Sequence, residues 1–168
     1  IAQNLYTSGV ISYPRTTSQK LPAKLNFKKV LEGLAKNSRY IDKVKVLQGF
    51  KQLIPNEGKK EDAAHPAIYP TGQLPSKLSE IEFKIYDLVV KRFFATFGES
   101  AIRESVNLKL NVGGEYFLAK GMTTKERNWS NLYEPYAKFR EEEWPEMKTG
   151  EELKIYRLDK LQKETLPP

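Results

Sequence analysis

The chain has no cysteine, a single histidine, only four aspartates and no long apolar run. Without cysteine there is no disulfide, no zinc-thiolate site and no thiol chemistry. No segment approaches the roughly 20 consecutive apolar residues that a membrane-spanning helix needs, and no signal peptide is visible. The aspartates, Asp42, Asp62, Asp87 and Asp159, are scattered, with no Asp-x-Asp pair to make a site for a hard cation. These absences fit an intracellular protein best.

What is present is ordinary for a folded protein. The 168 residues are 39% hydrophobic and 29% charged, enough for one or two compact units with a real core. The net charge of +7 is unevenly spread. Residues 1–97 hold 16 Lys/Arg against 8 Asp/Glu, whereas residues 98–168 hold 12 against 13. A polyanion would bind the first part. A lysine-rich solvated helix surface has the same composition, so charge matters here only in company with motifs.

The hydrophobic period changes once along the chain. Before Gly9 the sequence reads as the end of a helix. Phe27, Val30, Leu31, Leu34 and Ala35 recur at helical spacing between Asn26 and Asn37. A shorter helix is expected over Arg39 to Gln48, ended by Gly49. Ser79-x-x-Glu82 reads as a capping box that opens a helix through Phe97, with Ile81, Ile85, Leu88, Val89 and Phe93 as its apolar stripe and Gly98 at C′. Val106, Leu108, Leu110 and Val112 then alternate with polar residues, Gly113-Gly114 supplies a tight turn, and Glu115 to Lys120 returns as a hairpin. A further strand is expected over Leu153 to Leu158. Trp129, Tyr133, Tyr136, Phe139 and Trp144 suit packing of a long loop against that sheet better than stacking on bases. The expected fold is α+β, with the boundary near Gly98.

Two segments carry chemistry. The first is Ile11-Ser12-Tyr13-Pro14-Arg15-Thr16-Thr17-Ser18. Pro14 biases Tyr13 to extended geometry, in which side chains two apart point the same way. Tyr13 and Arg15 are thus expected to face one target: a potential nucleophile beside the side chain best shaped to hold phosphate. The hydroxyls of Thr16, Thr17 and Ser18 follow as phosphate donors. The second is Asp62-Ala63-Ala64-His65-Pro66-Ala67-Ile68-Tyr69-Pro70-Thr71-Gly72, which holds the lone histidine among small residues that leave its ring accessible. Taken singly, each segment reads more simply as a packed tyrosine or an exposed histidine.

Together they resemble the type IA DNA topoisomerases, in the nucleophile segment Gly9 to Ser18 and the downstream His-Pro-Ala-Ile-Tyr-Pro-Thr segment. Ile85 to Phe97 and the terminal Lys163-Glu164-Thr165-Leu166-Pro167-Pro168 extend the likeness, which spans nearly all of the chain in one order. Ser12-Tyr13-Pro14-Arg15-Thr16 with Ser18-Gln19-Lys20-Leu21-Pro22 looks most like the archaeal topoisomerase I branch. Bacterial members commonly carry Asp at the place of Thr17 and Glu at that of Pro66, so no role of that Asp carries over.

The resemblance implies a helical domain bearing the catalytic tyrosine over 1–97 and part of an antiparallel β arch, acting as a hinge, over 98–168. It implies Tyr13, Arg15 and His65 as catalytic residues, and Arg15, Thr16, Ser18, His65 and Thr71 as DNA-binding ones. Magnesium would be held in a Toprim domain outside this chain, and none is expected within it. The implied partners are single-stranded or negatively supercoiled DNA and the rest of a topoisomerase polypeptide, with no membrane, in a nucleoid-associated cytoplasmic setting. On this reading the chain is a central piece of a larger enzyme, inactive alone. Tyr13 would form a 5′-phosphotyrosine without ATP, and relaxation of negative supercoils would follow. A reverse gyrase module and a non-catalytic nucleic-acid-binding module are the alternatives. A tyrosine recombinase, which would want Arg and His residues upstream of a late tyrosine, fits poorly.

Overall fold

The computed structural model describes residues 1–157 and 159–165. Its elements run α1 (Ala2–Thr7), α2 (Phe27–Leu34), α3 (Ile41–Gln48), α4 (Glu80–Ala95), β1 (Ile102–Val112), β2 (Glu115–Glu126) and α5 (Trp129–Leu132). Helices come first and one antiparallel two-stranded sheet follows, which is the α+β class expected. No helix among the described residues is long and apolar enough to cross a membrane.

Local chemistry sets the helix ends. At the end of α1, Val10 N–H donates to Leu5 O (3.1 Å) and Gly9 N–H to Tyr6 O (2.8 Å), a Schellman closure. It needs a left-handed residue, and Gly9 has φ +75°. This closure aims the chain into the Tyr13 segment. Asn26 caps α2 by accepting from Lys29 N–H at 3.0 Å. Ser79 and Glu82 form the reciprocal capping box of α4. The hairpin turns on Gly113 (φ +61°) and Gly114 (φ +93°), the two positive φ values that a type I′ turn requires, with Val112 opposite Glu115.

Four details differ from the sequence reading. The fully buried face of α4 is Tyr86, Val90, Phe93 and Phe94, with Asp87 among them; of the expected stripe Phe93 belongs to it, Ile85 and Val89 pack against it half-buried, and Ile81 is 59% exposed. The true stripe is rotated because tyrosine and phenylalanine have the larger apolar area to bury. Gly98 has no left-handed φ; it is small because a Cβ there would lie 2.6 Å from Trp129 Cα. That close approach lets Trp129 and Tyr133 pack on the helical core rather than on the sheet, while Trp144 does cover Gly121 of β2. Finally, Leu153–Arg157 form no strand, for no neighbouring strand offers them a ladder; Leu158 lies outside the described residues, as do Leu166, Pro167 and Pro168.

The core joins the four long-range helices: Leu5 of α1, Leu31 and Leu34 of α2, Leu47 of α3, and Tyr86 and Phe94 of α4 are all essentially inaccessible. α2 also touches the histidine segment directly. A Cβ on Gly33 would sit 2.2 Å from Gly72 O, and Gly72 itself has φ +90°. In an open helix Gly→Ala stabilises by about 1 kcal/mol. Here forced overlap with a backbone carbonyl costs roughly 1–3 kcal/mol or more, so the clash wins. Gly33→Ala is expected to lower the melting temperature by several degrees, whereas Ala at the exposed neighbour Glu32 leaves it unchanged. A Gly33→Ala protein that melts higher than the parent would overturn this packing.

Two buried phenols and a half-buried one set an alkaline limit. Burial pushes Tyr86 up to about 12, burial and the Asp87 hydrogen bond push Tyr136 up to about 12, and burial and Asp87 raise Tyr40 as well. Each folded value lies above the unfolded one near 10, so the folded state keeps the proton longer. Their contribution is fully present below pH about 10 and is lost as pH rises from there toward 12. Melting curves from pH 8 to 11 should be flat at first and then fall. A melting temperature that rises above pH 10 would contradict the sign.

Candidate active site

The two chemistry-bearing segments lie side by side, laced by their backbones. Ile11 and Pro70 form an antiparallel bridge. Ser12 N–H donates to Tyr69 O (2.9 Å), Thr71 N–H to Val10 O (3.1 Å) and Ala67 N–H to Lys20 O (2.8 Å). Side chains add to the lacing: Tyr69 N–H donates to Ser12 Oγ at 2.9 Å, and Thr71 Oγ1 donates to Gly9 O at 2.6 Å. A histidine and a tyrosine remote in sequence are thereby brought together. Their ring centroids are 4.5 Å apart at 45°. Tyr6, from α1, meets the Tyr13 ring edge-on at 5.3 Å and 77°. Tyr13 thus stands between two aromatic rings.

Both Tyr13 and His65 are half-buried, and Arg15 is exposed. Among the described residues, no hydrogen bond engages the Tyr13 hydroxyl, the His65 ring or the Arg15 guanidinium. Their polar neighbours are engaged. Thr16 Oγ1 donates to His65 O at 3.1 Å and accepts from Ser18 N–H at 3.0 Å. Ser18 Oγ donates to Lys20 O at 3.4 Å and accepts from Lys20 N–H at 3.2 Å. Lys20 is ion-paired with Glu61 at 3.2 Å. Asp62 Oδ1 accepts from Ala64 N–H (2.8 Å) and His65 N–H (3.2 Å), and those two amides hold its carboxyl below the usual carboxylate range. Beside His65 opens a cleft of about 530 Å³, bordered by Lys20, Phe27, Glu61, Asp62 and Pro66.

A model of the DNA topoisomerase family matches residues 1–168. The chain belongs to the DNA topoisomerase family. It is 48% identical over 168 residues to DNA topoisomerase 1 of Methanothermobacter thermautotrophicus, covering 100% of this chain and 23% of that protein. Over 170 residues it is 46% identical to DNA topoisomerase 1 of Pyrococcus horikoshii, again covering all of this chain and 25% of the relative. DNA topoisomerase 1 of Pyrococcus furiosus is 43% identical over 159 residues, 94% of this chain and 15% of its own. The chain thus spans a quarter or less of the length of these relatives. Their identity agrees with the type IA, archaeal branch that the motifs resemble.

Within this topoisomerase chain the expected site residues are not equally disposed. Among the described residues, the polar groups of Tyr13, His65 and Arg15 have no hydrogen-bond partner. Thr16, Ser18 and Thr71 have their hydroxyl hydrogens on carbonyls, so a phosphate would draw on them only by exchanging those bonds. The chain also bends at Pro14, between Tyr13 and Arg15. Two neighbours escaped the motif reading. Tyr6 had no signal, because its contact with Tyr13 depends on the Gly9 turn between them. Asp62 had one: an aspartate before a Pro-containing loop readily accepts from the amides that follow it.

Proposed function

We propose that this chain carries the DNA-cleaving tyrosine of a type IA DNA topoisomerase. The observation that supports it most is the Tyr13–His65 ring pair, 4.5 Å apart, with both polar groups free for a ligand. The substrate is single-stranded DNA, or the melted strands of negatively supercoiled DNA. Tyr13 Oη forms a bond to phosphorus as the bond from phosphorus to the 3′ oxygen breaks. The phenolic proton passes to an acceptor, and the 3′ oxygen gains one. A second strand passes through the gap, and the 3′ hydroxyl then reverses the exchange. The ester conserves the bond energy, so ATP is not needed and negative supercoils relax.

An ordinary phenol, with pKa about 10, is a weak nucleophile at neutral pH. Positive charge on the non-bridging oxygens lowers the barrier, and Arg15 is exposed to supply it. His65 holds a phosphate oxygen or relays a proton. The groups that activate Tyr13 and protonate the 3′ oxygen belong to the rest of the topoisomerase polypeptide, as does the magnesium site. No group of three or more His, Asp or Glu gathers among the described residues. Residues 98–168, with their hairpin, form part of the arch that carries the 1–97 body as a hinge.

The test is a peptide map of the covalent adduct. The full-length enzyme, given magnesium and short single-stranded DNA, is denatured and digested, and the DNA-linked peptide is identified by mass spectrometry. The linked residue is expected to be Tyr13. Linkage to any other tyrosine sinks the proposal.

A further inference from the structure

We propose that Asp62 and Thr16 are positioning residues, a two-sided clamp on the main chain of His65 that sets where its ring stands over Tyr13. This rests on the reading of Tyr13 and His65 given above. Asp62 Oδ1 takes the His65 N–H at 3.2 Å, and Thr16 Oγ1 gives its hydrogen to His65 O at 3.1 Å. One jaw comes from the histidine segment itself. The other comes from the segment that carries the nucleophile, three residues beyond Tyr13. No hydrogen bond of the Asp62 or Thr16 side chain reaches the His65 ring or the Tyr13 hydroxyl among the described residues. They act through the backbone.

The clamp matters because, among the described residues, no hydrogen bond steers the His65 ring. Pro66 already confines His65 to extended backbone geometry, and it fixes the φ that follows. Tying the N–H and the C=O holds the two peptide planes on either side of the His65 Cα, and so aims the Cα–Cβ bond. Each jaw is itself fixed. Asp62 Oδ1 also accepts from Ala64 N–H at 2.8 Å, and Thr16 Oγ1 also accepts from Ser18 N–H at 3.0 Å. Those amides keep the Asp62 carboxyl ionised well into acid, so this jaw stays an acceptor across neutral pH. The other laces, Ser12 to Tyr69, Thr71 to Val10 and Ala67 to Lys20, hold the two segments together independently. Opening the clamp should therefore shift His65 without parting the segments.

A displacement of about 1 Å in a reacting constellation costs on the order of 10²-fold in rate. Thr16→Val removes the hydroxyl at nearly constant volume, and Asp62→Ala removes the acceptor. In the full-length enzyme each is expected to slow single-turnover cleavage of single-stranded DNA roughly 10- to 100-fold. For Asp62→Ala the Kd for that DNA should stay within about threefold, because this jaw is not a positive charge that binds phosphate. Thr16→Ser and Asp62→Asn keep the donor and the acceptor oxygen, and should restore most of the rate. The deciding step is a double-mutant cycle with His65→Ala. If the jaws act through the ring, Thr16→Val and Asp62→Ala cost nothing further once the ring is gone. The clamp is overturned if the two variants cleave at the parent rate, if they cost as much in the His65→Ala background, or if Asp62→Asn is as slow as Asp62→Ala. Melting temperatures identify any variant that fails to fold, and the conservative pair then still decides through its own rates in both backgrounds. The adduct is mapped in the same reactions. An adduct away from Tyr13 sinks the reading of the site, while an adduct on Tyr13 with the clamp variants at full rate sinks only the clamp.

Discussion

Tyr13→Phe is expected to abolish the covalent DNA adduct and plasmid relaxation in the full-length enzyme while leaving folding and DNA binding intact. The substitution deletes one oxygen that, among the described residues, has no hydrogen bond within the protein, so no buried donor or acceptor is orphaned. The ring keeps its edge contact with Tyr6 at 5.3 Å and its contact with His65 at 4.5 Å. The stability change should stay within about 0.5 kcal/mol. The chemical change is total, because the neighbouring hydroxyls are already engaged: Ser12 Oγ donates to Ala67 O at 3.4 Å and accepts from Tyr69 N–H at 2.9 Å, and Thr16 bonds His65 O. Arg15→Ala and His65→Ala differ in kind. Each weakens charge stabilisation or proton movement without removing the bond-forming atom, so adduct should persist at roughly 10²–10³-fold lower rate. Denaturing electrophoresis of end-labelled single-stranded DNA separates these outcomes. Adduct from Tyr13→Phe on a 5′ end would refute the nucleophile assignment.

The pairing of the two segments was legible only from the two together, since each alone reads as a packed tyrosine or an exposed histidine. A tyrosine before Pro-Arg and a lone histidine before Pro-Ala narrow the chemistry even before a fold is known. Capping was legible too, since Ser79 with Glu82, Asn26, Gly9 and the Gly113-Gly114 turn act over a few residues of chain. What could not be read depends on distant neighbours. The face of α4 turned on which aromatic side chains found partners, and Ile81 lost to Tyr86. Alternation over Leu153–Arg157 predicts a strand only if another strand lies beside it. The hydroxyls of Thr16, Ser18 and Thr71 look like phosphate donors in one dimension, yet in three their hydrogens reach carbonyls of the chain. Gly33 gives no hint in a helix that it lies against the Gly72 backbone.

Asp87→Ala should be the most destabilising single change in the helical body. The carboxylate is buried on α4, its side chain 9% exposed, and three groups depend on it. Tyr40 Oη donates to Oδ1 at 3.1 Å, Tyr136 Oη donates to Oδ2 at 2.8 Å, and Lys91 Nζ, itself 16% exposed, pairs with Oδ2 at 2.8 Å. Tyr40 precedes α3, Lys91 lies one turn along α4, and Tyr136 follows α5, so one side chain ties together elements from both parts of the chain. Whether the intact network stabilises relative to an apolar core is a separate question, because the desolvation cost of buried ions is large. Breaking it is not balanced in the same way. Alanine leaves a nearly buried ammonium and the buried Tyr40 hydroxyl without their acceptor, while Tyr136 keeps a hydrogen bond to Lys84 O at 3.3 Å; the loss is about 3–5 kcal/mol. For a chain of this size that is a fall in melting temperature on the order of 10 °C. Asp87→Asn keeps the shape and one accepting oxygen but loses the charge opposite Lys91, and should fall between. Tyr136→Phe removes a single donor and should cost about 1 kcal/mol. The network lies apart from the Tyr13–His65 pair, although Tyr86 beside it reaches the histidine segment through Gln73 O at 3.3 Å. Cleavage by Asp87→Ala enzyme held well below its melting point should therefore proceed near the parent rate. A melting temperature within 2 °C of the parent would show that Lys91 and the phenols find other partners, and that Asp87 does not tie the two parts together.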